Sequence, residues 1–118
     1  MYTRIASLLI LALAAPLAHA AGFPGGAYTS GDYTLNFADH GKLTLQEKDN
    51  VVLNGTWSSD AGKVTFTDVS GSYACAAPNA TGVYGWKAAS DGVAFTKQKD
   101  GCDDRAQALD GKMWKRKS

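Results

Sequence analysis

The sequence predicts an all-β fold, an eight-stranded antiparallel up-and-down barrel with one short helix before the last strand. Three observations carry this reading. Apolar and polar residues alternate in short runs, glycines recur at the run boundaries, and only one segment has helical character. A parallel sheet would need helical crossovers, and the spacing between runs leaves no room for them.

The elements follow in chain order. Residues 1–20 hold Arg4, an apolar run from Ile5 to Leu17, and Ala18-His19-Ala20 at the end. That order is a secretory signal with a cut after Ala20, and the run is shorter than the roughly 17 residues needed to span a bilayer. Residues 21–30, with Gly22, Pro24, Gly25 and Gly26, read as a flexible lead-in to a barrel domain over 31–118. Strands are expected at 32–38, 42–48, 51–58, 63–69, 72–76, 82–88, 93–99 and 112–117. In the first hairpin Tyr33, Leu35 and Phe37 share one parity, and Leu43 and Leu45 share one across the turn Ala38-Asp39-His40-Gly41. Asp103-Asp104-Arg105-Ala106-Gln107-Ala108-Leu109 opens acidic and stops at Asp110-Gly111, so it reads as the helix.

A unit of glycine, one residue and an aromatic recurs as Gly31-Asp32-Tyr33, Gly55-Thr56-Trp57 and Gly82-Val83-Tyr84, with glycines 24 and then 27 residues apart. A period near 25 built of short strands describes successive hairpins. Closing the first strand on the last hides both sheet edges. An immunoglobulin-like sandwich is the competing topology, weakened by this regular period. The interior is expected to hold Tyr33, Leu35, Phe37, Leu43, Leu45, Leu53, Trp57, Val64, Phe66, Tyr84, Trp86, Val93 and Phe95.

Gly55-Thr56-Trp57 with its hairpin resembles the glycine-x-tryptophan hairpin of calycin barrels. The stretch Gly82 to Trp86, Val93 to Phe95, Asp100 to Arg105, and Leu109 to Trp114 is similar to small secreted lipocalin-like proteins. The resemblance implies a barrel that holds a small apolar ligand at its open end. It also implies that Arg105 covers Trp57 or Trp86. Tyr33, Phe37, Trp57, Tyr84, Trp86 and Arg105 are the expected ligand-binding residues.

Charge and chemistry narrow the function. After residue 20 the chain carries 11 basic and 11 acidic residues, so no net field marks it as a nucleic-acid binder. Its two cysteines, Cys75 and Cys102, read as a disulfide in a secreted or periplasmic protein. That stretch holds one histidine, His40, and one glutamate, Glu47, and no nucleophile-elbow serine. The chain is therefore read as a non-catalytic monomer without cofactor or metal. Asp100, Asp103 and Asp104 are expected to cap the helix in preference to holding calcium. The rival reading is a secreted inhibitor of a hydrolase such as a protease or lysozyme, with residues 21–30 or the loop 75–81 entering its partner.

Overall fold

The computed structural model describes residues 22–117. The proposed signal and its cleavage site lie outside those residues. Eight strands form one closed antiparallel barrel in chain order: β1 Gly26–Ser30, β2 Tyr33–Phe37, β3 Lys42–Glu47, β4 Asn50–Asp60, β5 Lys63–Ser70, β6 Thr81–Ala89, β7 Gly92–Asp100 and β8 Met113–Arg116. The helix α1 spans Asp103–Leu109 between β7 and β8, as the sequence predicts. Closure is made by β1 on β8, with Tyr28 opposite Arg116 and Thr29 opposite Lys115.

The strand count of eight is right, but two placements are not. Residues 26–30, expected as part of a flexible lead-in, are the first strand. The expected strand at 72–76 is a turn followed by irregular chain. β1 escapes the alternation rule because it buries only Tyr28 completely, and its partner β8 lies at the far end of the chain. The segment 72–76 is held by single hydrogen bonds to β4 and β5 and pairs with neither as a strand. The Tyr73 N–H donates to the Val52 carbonyl at 2.9 Å, and the Cys75 N–H donates to Asp68 Oδ2 at 2.8 Å.

Cross-strand pairing places the apolar parity inward. Leu35 faces Leu45, Phe37 faces Leu43, Val64 faces Tyr84, and Trp86 faces Phe95. All thirteen expected interior residues belong to the core or pack against it, and Phe23, Tyr28, Leu109 and Trp114 join them. The glycine-x-aromatic units are not equivalent in space. Gly31 forms a left-handed turn at φ 58°. Gly82 leaves the room that the Asp100 carboxylate fills, since a Cβ there would lie 2.6 Å from it.

The interior divides into two halves. At one end Phe23 enters the barrel, with ring centroids 4.5 Å from Phe37, 5.3 Å from Trp86, 5.8 Å from Trp57, 6.0 Å from Phe95 and 6.1 Å from Tyr28. Offset and edge-on rings at these distances fill the floor with aromatic carbon. The Trp57 Nε1–H donates to the Ala38 carbonyl at 2.9 Å, and the Tyr28 hydroxyl donates to the Pro24 carbonyl. Across the closing seam the Arg116 guanidinium lies 5.1 Å over the Tyr28 ring. The other half is open.

Candidate functional site: the open half of the barrel

The open half encloses a cavity of about 540 Å³. Its wall is apolar: Leu35, Leu43, Leu45, Leu53, Phe66 and Leu109, with Trp114 beside the helix. Leucines reach less far across the barrel than the floor's aromatic rings, so the same strands that pack solid below leave space above. The Trp114 Nε1–H donates to the Ala108 carbonyl at 3.1 Å, which satisfies the indole within the wall. Phe66 divides the halves, with Phe37, Tyr84 and Phe95 against its ring.

The rim is assembled from two stretches that the sequence keeps apart, the β5–β6 loop and the run from the end of β7 into α1. The β5–β6 loop brings Tyr73 and Cys75, β7 ends at Asp100, and α1 brings Arg105. Cys75 and Cys102 are joined as a disulfide with their Cα atoms 6.2 Å apart, which ties the loop to the helix start. Arg105 then organises the remainder. Its Nε donates to Asp100 Oδ2 at 2.7 Å and Nη2 to Asp100 Oδ1 at 2.8 Å, a bidentate grip. Nη1 lies 3.0 Å from Asp68 Oδ1, and Nη1 and Nη2 also donate to the carbonyls of Ala80 and Asn79 at 3.1 and 3.0 Å.

The aspartates pass this order on to both half-cystines. Asp100 Oδ1 accepts the Cys102 N–H at 2.9 Å, and Asp68 Oδ2 accepts the Cys75 N–H. Burial opposes the charge on Asp100, but the hydrogen bonds from Arg105, Tyr84 and Cys102 outweigh it and hold its carboxyl below the usual carboxylate range. Burial and the bond to Asp100, made at 2.5 Å, push the Tyr84 hydroxyl well above the ordinary phenol range. Arg105 stays charged, because Asp100 and Asp68 overcome the burial that works against it.

At the mouth, two phenols share one carboxylate. Tyr73 donates to Glu47 Oε1 at 2.7 Å and Tyr33 to Glu47 Oε2 at 3.3 Å, with the two rings 6.5 Å apart. The bond to Glu47, followed by the charge of that carboxylate, pushes the Tyr73 hydroxyl up to about 12.

Of the expected ligand-binding residues, Tyr33 and Arg105 line the cavity, whereas Phe37, Trp57, Tyr84 and Trp86 do not. Tyr84 is fully buried, and Phe37, Trp57 and Trp86 surround Phe23 in the floor. Arg105 covers neither Trp57 nor Trp86; its position is fixed by Asp68 and Asp100, which outcompete a ring face for a buried guanidinium. Asp100 is drawn into that network, while Asp103 and Asp104 occupy the first turn of α1, whose N-cap Cys102 makes no side-chain capping bond.

Asp68 was open to prediction from its parity. It follows Val64 and Phe66 inward, and an inward carboxylate requires a buried partner. Asp68, Cys75 and Cys102 bring three metal-ligand atoms within 4.8 Å of one another. The two sulfurs are bonded together and offer no thiolate.

Among the described residues no helix is long and apolar enough to cross a membrane. No family model, curated protein or solved structure matches the chain. The fold and site define a class: a closed eight-stranded barrel, floored with aromatics at one end and open to an apolar cavity at the other.

Proposed function

We propose that the protein is a non-catalytic, extracytoplasmic binding module that holds a small apolar molecule in the open half of its barrel. The cavity of about 540 Å³ carries this reading, because pockets for small molecules fall within roughly 300 to 1,000 Å³ and are lined mostly by apolar side chains. The resemblance to lipocalin-like barrels points the same way. The disulfide fits an oxidising compartment outside the cytoplasm. The non-catalytic reading is supported by how the rim charges are used: Arg105, Asp68 and Asp100 bind one another, and Glu47 accepts from Tyr33 and Tyr73.

Native mass spectrometry of protein recovered from its own source tests the reading. A reproducible small-molecule adduct lost on denaturation is the expected result, and an empty barrel that also refuses apolar probes overturns it. A second reading, a barrel that acts on a secreted hydrolase, draws on Val51, Val69 and Tyr73, which expose 52, 68 and 46% of their surface near the open end. Residues 22–30 no longer serve that reading as an inserting segment, since Phe23 is a core residue and 26–30 a barrel strand. The 75–81 loop remains its surface. Capture of a protease or lysozyme by an empty barrel would favour it.

A further inference from the structure

Among the described residues the one cation lining the cavity is Arg105, and its charge is already spoken for by the protein. Each of its three guanidinium nitrogens faces a protein oxygen: Nε and Nη2 on Asp100, Nη1 on Asp68 and the Ala80 carbonyl, Nη2 also on Asn79. The side chain is only 8% exposed, and its two carboxylate partners are 3 and 0% exposed. Two carboxylates around one guanidinium leave the cluster with an excess negative charge. A ligand carboxylate arriving here would have to displace Asp68 or Asp100, leaving a buried aspartate unpaired, which is strongly unfavourable.

The mouth repeats the same sign. Asp104 lines the cavity, and Tyr33 and Tyr73 present their rings there with both hydroxyls turned to Glu47. Two phenol rings beside a carboxylate attract a cation by ring quadrupole and by charge together. The leucine wall requires the rest of the ligand to be apolar.

We propose that the cavity selects its ligand by head group, taking a small apolar amine in its ammonium form and rejecting the corresponding carboxylate. This rests on the binding-module reading above and names the chemical class of its ligand. The ammonium sits at the mouth between Tyr33 and Tyr73, within the field of Glu47 and Asp104, and the hydrocarbon enters among Leu35, Leu45 and Leu53.

Displacement of a neutral fluorophore, N-phenyl-1-naphthylamine, from the oxidised protein by decylamine, decanol and decanoate at pH 7 tests it. Decylamine is expected to displace the probe at about tenfold lower concentration than decanoate, with decanol between them, because only the carboxylate meets an unneutralised negative surround. Glu47→Gln is expected to reduce the amine-to-alcohol preference about threefold, and added salt to reduce it further. Decanoate binding as tightly as decylamine, or a preference that Glu47→Gln and salt leave unmoved, overturns the head-group assignment while the binding reading stands. Failure of the probe and of all three compounds to bind removes the binding reading itself, and this inference with it.

Discussion

The two ends of the barrel are built from the same eight strands and behave as different materials. The floor is carbon against carbon, with Phe23 inside a ring of Phe37, Trp57, Trp86, Phe95 and Tyr28. The rim is charge against charge, with Arg105 between Asp68 and Asp100, over a cavity lined with leucine. Floor packing tolerates no opening but needs no particular partner. The rim keeps an opening because a disulfide and an ion-pair network, in place of bulk, hold its loop and helix. Stability and the proposed binding thus belong to opposite halves.

Breaking the floor should have the largest effect on stability. Phe23→Ala empties the centre of the aromatic cluster and is expected to destabilise by about 4 kcal/mol in denaturant unfolding. Replacing Cys75 and Cys102 together by serine releases a 27-residue separation and is expected to remove about 3 to 4 kcal/mol in the chain-entropy account. Arg105→Met leaves two buried carboxylates unpaired and is expected to cost about 3 kcal/mol at pH 7.

The same network sets an acid limb. Asp100 has a lowered folded-state pKa, so its contribution is fully present above the unfolded carboxylate value and is lost as pH falls through the folded one. Unfolding followed from pH 7 downward should therefore show a steeper loss in the native protein than in Asp100→Asn, which starts less stable. The smallest effect is expected at the mouth. Tyr73→Phe should leave the unfolding midpoint close to that of the native protein, as for other exposed sites. An ultraviolet titration should also lose one high-titrating phenol, the one that Glu47 pushes up to about 12.

The two halves also differ in how far the sequence discloses them. Strand alternation exposes the floor, because Phe37, Phe66, Phe95, Trp57 and Trp86 share inward parity within their own hairpins. Phe23 and Tyr28 are hidden from that logic: they sit among glycines and a proline, and their partners lie up to 88 residues away, as Tyr28 opposite Arg116 shows. At the rim, the helix and the cysteine pair are legible locally. The grip of Arg105 on Asp68 is not, since it depends on β5 ending beside α1. The parity of Asp68 with Val64 and Phe66 marked a buried charge, but only closure of the barrel shows which cation answers it. Trp57 and Trp86 draw the expected site toward the floor because aromatic residues often line ligand pockets, whereas here these two pack around Phe23.

The division of labour is tested most directly by one titration of N-phenyl-1-naphthylamine against the native protein, Leu45→Trp and Trp86→Phe. Leu45 lines the cavity and Trp86 belongs to the floor. Filling the cavity at Leu45 should weaken the probe by at least about tenfold, while Trp86→Phe should leave its affinity within about twofold, since a pocket binds through the surfaces that enclose its ligand. Equal affinity for the native protein and Leu45→Trp, or loss of binding on Trp86→Phe alone, would contradict the assignment of binding to the open half.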